Sequence, residues 1–202
     1  MKKIIFIFLF IVLYPKHNNL YKNKNNVVGN IYIPNTNINY KIYQTKDNEY
    51  YLNHKNNKKD KHGSIFLDYR NKINDKKLLI YGHNSKYSNN IYFKELEKYK
   101  DYNYYKDNKY IDLVINNKKR LYKIFSINII PKDNYHHTKI IFSDNEFIEH
   151  INYLKNNSIY NTHEKVLKND YIITIQTCNY NPDNTYLLIN AKRVDNDEKI
   201  SI

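Results

Sequence analysis

Cys178 is the only cysteine among 202 residues, and it stands in YIITIQTCN (Tyr171–Asn179). There Ile172, Thr174 and Gln176 alternate with Ile173, Ile175 and Thr177, the two-residue period of a strand with two distinct faces. The turn-rich run Asn179–Asn184 comes directly after, so the thiol falls at a strand end that a groove can reach. A thiol attacks only as thiolate, which needs a cationic neighbour such as His or Arg. LLIYGHN (Leu78–Asn84) offers one, a strand that ends by presenting His83 in the same situation. Such a pair suits acyl transfer: the sulfur attacks a carbonyl, and the imidazolium protonates the departing amine.

A single cysteine rules out an intrachain disulfide and a CxxC metal site. No HExxH, P-loop or GxGxxG pattern is present. The eight histidines are scattered, with His136–His137 the only adjacent pair, so neither a metal nor a cofactor is expected. The net charge of +13 raises the question of nucleic acid. Lysine is spread over the whole chain without a concentrated stripe, which argues against that partner. A basic exterior equally suits a protein held near an anionic envelope.

With 41% apolar and 15% aromatic residues the chain has the composition of one globular domain, preceded by a different N-terminus. Lys2 and Lys3 precede the apolar run Ile4–Tyr14, which Pro15 ends. That run has the size of a secretory h-region but lacks a small-x-small cleavage site. Two readings stand: residues 1–15 are an uncleaved signal anchor, or a signal peptide cut at an atypical site. Either puts the rest of the chain on the extracellular face of the cell membrane. Residues 16–26 read as a polar linker and 27–202 as the folded domain.

Within that domain the sequence predicts short strands: Ile31–Ile33, Asn39–Gln44, Gly63–Leu67, Lys77–Tyr81, Tyr110–Ile115, Arg120–Ile130 and Tyr186–Val194. NNKK between Ile115 and Arg120 reads as a hairpin turn. Lys94–Lys100 reads as a short helix. Asn145–Asn156 reads as the one substantial helix, with Phe147, Ile148, Ile151 and Leu154 at helical spacing and Ser143 or Asp144 as its cap. The pattern is mainly β, an antiparallel barrel or sandwich carrying one substantial helix before the cysteine strand.

From Val27 to Val194 the sequence resembles the sortases, class B in particular, the membrane-anchored cysteine transpeptidases of Gram-positive bacteria. The resemblance runs in order through VVGNIYIP, DNEYYLNH, GSIFLDYRN, IYGHN with His83 and ITIQTC with Cys178. It implies an eight-stranded sortase-type barrel that cleaves an NPxT-type sorting signal as a thioester on Cys178. An amine on a cell-wall precursor or another protein then resolves the thioester, so surface proteins with C-terminal sorting signals are the implied partners. His83 is the implied acid and later base. Gln176 and Thr177, just before the nucleophile, are candidate backbone or hydroxyl donors near the oxyanion. Asn71 in DYRN and Tyr81 in YGH lie in stretches that line the class B groove.

One departure stands out. The family has an essential arginine at the start of the strand after the cysteine, and this chain has Tyr186 there. Arg193 is seven residues further on, roughly 23 Å away at about 3.3 Å per residue. Three accounts are open: Tyr186 donates its hydroxyl to the oxyanion, another cation such as Arg70 or a lysine fills the space, or the barrel is a pseudoenzyme or peptide-binding module with little turnover. The linker is also too short for the helices that class B members carry between anchor and barrel.

Overall fold

β-Branched, alternating segments recur along this chain, and eight of them pair into one closed sheet. The computed structural model describes residues 26–56, 58–88 and 91–194. Its strands are β1 (Val27–Tyr32), β2 (Asn39–Tyr43), β3 (His54–Lys55), β4 (Lys58–Lys59), β5 (Ile65–Leu67), β6 (Lys77–Tyr81), β7 (Tyr110–Ile115), β8 (Lys118–Pro131), β9 (Ile172–Asn179) and β10 (Thr185–Arg193). The helices are α1 (Tyr102–Asp107), α2 (Asp144–Asn156) and 3-10 turns at Tyr50–Leu52, Lys94–Lys100 and His136–Thr138. The expected signal anchor or peptide and nearly all of the linker lie outside the described residues. Among those described, no helix is long and apolar enough to cross a membrane.

The barrel order is β1-β2-β5-β6-β9-β10-β8-β7, closed by β7 against β1, with β3 and β4 forming a separate small ribbon. The sheet is not antiparallel throughout, as the strand pattern alone implied: β2 runs parallel to β5, and β6 parallel to β9. A parallel partner cannot be joined by a tight turn, so these pairings are absent from local sequence signals. The expected hairpin does form. Asn116 (φ 47°) and Asn117 (φ 59°) make the left-handed two-residue turn that matches strand twist.

Alternation then sorts the side chains. Ile31, Ile42, Leu78, Ile80, Leu113, Ile173, Ile175, Leu187 and Ile189 fill the interior. The outer face of β9, β10 and β8 is covered by α2, whose Phe147, Ile151 and Leu154 pack on Phe125 and Ile172. Phe125 is the residue that the β8–β10 register skips, and such a bulge turns an extra apolar group outward. Ser143 caps α2 in a box with Glu146: the Glu146 N–H donates to Ser143 Oγ, and the Ser143 N–H donates to Glu146 Oε2. Beneath α2 runs a buried polar ladder. Thr174 Oγ1 donates to Asn190 Oδ1, Asn190 Nδ2 donates to Ser126 Oγ and Asn128 Oδ1, and Asn128 Nδ2 donates to the Leu154 carbonyl.

Lys77 is fully buried at the end of β6 nearest α2, where its Nζ bonds the His137 carbonyl and His150 Nε2. Burial pulls this ammonium down to about 7, Arg70 adding to the pull and Asp68 opposing it. Burial also takes His137 to about 4 and His150 to about 2, with Lys77 and the neighbouring histidines contributing, and Lys139 as well at His150. Both imidazoles are therefore neutral in the fold, while in the unfolded chain they charge below about 6.5. The unfolded state binds more protons there, so stability falls as pH drops. We expect the thermal midpoint to fall between about pH 6.5 and 5, above the carboxylate range. Replacing both (His137→Gln, His150→Gln) keeps a donor and an acceptor and should flatten that slope. An unchanged slope in melting curves would contradict this.

Candidate active site

The site grows from the parallel pair. Lys77 through Tyr81 lie opposite Ile172 through Gln176, and the register is carried past the end of β6 by side chains and backbone. The Gly82 N–H donates to the Gln176 carbonyl at 3.2 Å, and Thr177 Oγ1 donates to the Gly82 carbonyl at 2.8 Å. Asn84 Nδ2 donates to the Cys178 carbonyl at 2.9 Å. His83, between the last two contacts, is thus held alongside Cys178 at one rim of the barrel. Gly82 is required by packing: a Cβ there would stand 2.3 Å from Ile65 Cδ1 and 2.4 Å from Phe93 Cδ2.

His83 Nε2 lies 2.6 Å from the Leu52 carbonyl. A carbonyl only accepts, so Nε2 carries a proton and Nδ1 is the nitrogen free to exchange one. That carbonyl is set by Gly63, at φ +57°, where a Cβ would approach the Leu52 carbonyl oxygen to 2.6 Å. Asn84 is itself fixed, its Nδ2 also donating to Glu97 Oε1 at 2.6 Å while its carbonyl accepts from Tyr180 Oη at 3.1 Å.

Cys178 is half-buried. Tyr186 faces it across the β9–β10 ladder as its register partner. Burial first, then the charge of Cys178 and Tyr135, raises the Tyr186 phenol, so its hydroxyl keeps its proton and can donate. Arg193 is out of reach, paired with Tyr122 at the far end of β10, its guanidinium 4.2 Å from the Tyr171 ring centroid. Arg70 is committed to Asp68 by two hydrogen bonds, at 2.9 and 2.8 Å, and to the Thr138 carbonyl. Tyr81, half-buried beside Gln176, donates its hydroxyl to the same Asp68 carboxylate at 2.8 Å. Burial pushes that carboxyl up, yet Arg70 and Tyr81 together hold it below the usual range.

Two of the expected site residues spend their side-chain hydrogen bonds within the fold. Thr177 is buried on the inward face of β9, and its hydroxyl is spent on Gly82 rather than offered to a substrate. Asn71 is buried too. Its amide donates to Asp75 and the Lys77 carbonyl and accepts from the Leu79 N–H, so it braces β6 from behind. Gln176 does share the outward face with Cys178. His137 Nε2 lies 2.7 Å from Gln176 Oε1, which leaves the Gln176 amide nitrogen without a partner among the described residues. The sequence marks His137 only as one of the single adjacent histidine pair, whereas the residue is buried and set 5.8 Å from the Tyr186 ring. Asn84 and the Leu52 carbonyl were also missed; only the position of Asn84, directly after GH at a strand end, hinted at it. Among the described residues no group of His, Cys, Asp and Glu is arranged to hold a metal.

A closed barrel with a thiol and an imidazole on the ends of two parallel neighbours is the architecture of a sortase. The Sortase domain family model matches residues 31–194. The chain belongs to the sortase family. Sortase B of Listeria monocytogenes is 34% identical over 167 residues, covering 81% of this chain and 67% of that protein. The X-ray structure of Clostridium perfringens sortase B superposes with a TM-score of 0.81 at 30% identity, covering 88% of this chain and 98% of the other. A crystal structure of sortase B complexed with triglycine gives 0.78 at 27% identity, covering 88% of this chain and 84% of the other. The eight-stranded barrel expected from the resemblance is the one found.

Asn84 joins both sides of the rim through one amide. Asn84→Ala strands the Cys178 carbonyl and should cost about 1–3 kcal/mol in urea denaturation. A loss below about 0.5 kcal/mol, the range of an ordinary surface change, would show that the amide holds nothing.

Proposed function

We propose that this protein is a class B-like cysteine transpeptidase acting on cell-surface proteins. Its substrate is an NPxT-type sorting signal, taken up as a thioester on Cys178. The observation that carries the reading is the parallel β6–β9 pair, with His83 and Cys178 on its two ends and Tyr186 across from the sulfur. The Cys178 thiolate attacks the threonine carbonyl carbon, a C–S bond forms, and the carbonyl electron pair moves to oxygen. Collapse breaks the C–N bond, and the leaving amine takes its proton from His83. An incoming amine gives its proton to His83, attacks the thioester carbon, and the C–S bond breaks to release the Cys178 thiolate. The triglycine-bound relative supports an amine of this kind as the second substrate.

The Leu52 carbonyl suits the charged state of this cycle, because it accepts from an imidazolium as well as from the neutral ring. The Tyr186 hydroxyl is positioned to donate to the oxyanion, with less force than a guanidinium. The apolar run Ile4–Tyr14 after Lys2 and Lys3 supports attachment to the cell membrane with the barrel on the extracellular face.

Purified protein incubated with an NPxT-type peptide should gain the mass of the acyl fragment, and an added amine should discharge it. Cys178→Ala abolishes the adduct, and His83→Ala slows it by about 100- to 10,000-fold. No adduct over many hours, or one that survives Cys178→Ala, refutes the reading.

A further inference from the structure

We propose that the ammonium of Lys132 supplies the positive charge at the Cys178 rim, acting on anionic oxygen held between the sulfur and Tyr186. This role rests on the acyl-transfer reading and deepens it, since attack on a carbonyl builds negative charge on its oxygen and calls for donors or cations there. Tyr186 is neutral, and none of the three arginines serves: Arg70 is tied to Asp68, Arg120 donates to the Ile73 carbonyl, and Arg193 lies over Tyr171. Beyond the His83 imidazolium, which protonates the leaving amine, a lysine is the side-chain cation that remains.

The register singles one out. Cys178 pairs with Tyr186, and Tyr186 pairs with Ile130. Lys132, two positions beyond Ile130, is the diagonal neighbour of Tyr186. Its Nζ lies 5.6 Å from the centroid of the Tyr186 ring, within the range of a cation–π contact. A cation over that face also makes the phenol O–H a stronger donor. The backbone is fixed on both sides. The Lys132 N–H donates to the Asn184 carbonyl at 3.2 Å, and Asn134 Nδ2 two residues on donates to the Tyr153 hydroxyl of α2 at 2.7 Å.

The lysines on the neighbouring segments, and Lys77 at the far end of β6, are occupied or buried. Lys86 is paired with Asp183, Lys139 with Glu146, Lys100 bonds the Asn181 carbonyl, and Lys77 is buried. Among the described residues no carboxylate lies within 4.0 Å of Lys132 Nζ, so its charge is not neutralised locally. In the acylation step the ammonium keeps all its protons. It lowers the energy of the oxyanion while the C–S bond forms, and the leaving amine is still protonated by His83.

Two anions report on this charge independently of each other. The first is iodoacetate, compared with neutral iodoacetamide of similar size, alkylating the one thiol in the chain. The ratio of their rate constants at Cys178 should fall about three- to tenfold in Lys132→Ala and in Lys132→Met, which keeps the apolar stem. It should hold in Lys132→Arg, and added salt should lower it more in the unmodified protein and in Lys132→Arg than in Lys132→Ala or Lys132→Met. An equal ratio in all variants overturns the proposal. The second is the oxyanion itself. With an NPxT-type peptide, Lys132→Met should lower kcat about 10- to 100-fold with KM little changed, and the loss should largely vanish in a Tyr186→Arg background. An equal loss in both backgrounds, or a change in KM alone, also overturns it. A Lys132-dependent alkylation ratio without any thioester sustains the cation and sinks the transpeptidase; a thioester with an unchanged ratio does the reverse.

Discussion

The parallel pairing of β6 with β9 is the constraint on which this molecule is built. Two strands far apart in sequence lie side by side from Lys77–Ile172 to Tyr81–Gln176, and both end at the same rim. Everything between them, from the 3-10 turn at Lys94–Lys100 through the β7–β8 hairpin to α2, is the crossover that a parallel partner demands. Past the end of β6 regular pairing stops, yet Gly82, Thr177 and Asn84 continue the register by specific hydrogen bonds. Local contacts of that kind are what hold two reacting groups within a fraction of an ångström.

A second line of support approaches from α2. His150 meets Lys77, Lys77 meets the His137 carbonyl, and the His137 ring meets Gln176, two residues before Cys178. The chain is costly, because it buries a lysine and two imidazoles with no carboxylate among the described residues in direct contact. Burial lowers all three groups, so both imidazoles are neutral near physiological pH and the Lys77 ammonium, at about 7, keeps only part of its charge. The return is a fixed Gln176 side chain with its free amide nitrogen on the face that bears Cys178. Tyr186 on one side and Tyr81 on the other complete that face, the latter anchored through Asp68 to Arg70.

Much of this was legible in the sequence where the signal is local. Lys77–Tyr81, Tyr110–Ile115 and Lys94–Lys100 have their expected bounds, and α2 starts at Asp144 behind a Ser143 cap. Gly63–Leu67 shortens to Ile65–Leu67 because Gly63 is spent on a left-handed turn. The parallel pairs, the β3–β4 ribbon and α1 were not legible, since strand partners are chosen by distant segments and very short elements by tertiary contacts. The strand period placed His83 and Cys178 at strand ends and split Gln176 from Thr177 by face, without telling which of the two faces outward. It could not tell which polar groups are already satisfied. Asn71, in a stretch expected to line the groove, and Thr177, a candidate donor, spend their side-chain hydrogen bonds internally, while His137, one of an adjacent pair with no motif around it, is buried against Gln176. Lys132 was invisible among so many lysines until its register beside Tyr186 was known.

The presence of one native thiol permits a direct test of the rim. A His83→Cys variant carries two cysteines, and a disulfide closes only when the two Cα atoms lie within about 4.4–6.8 Å. Mild oxidation should give an intramolecular 83–178 bridge in the folded monomer, seen as a loss of two hydrogens and a linked peptide pair. Two free thiols, or only bridges between separate molecules, would mean that β6 and β9 do not deliver these positions to each other.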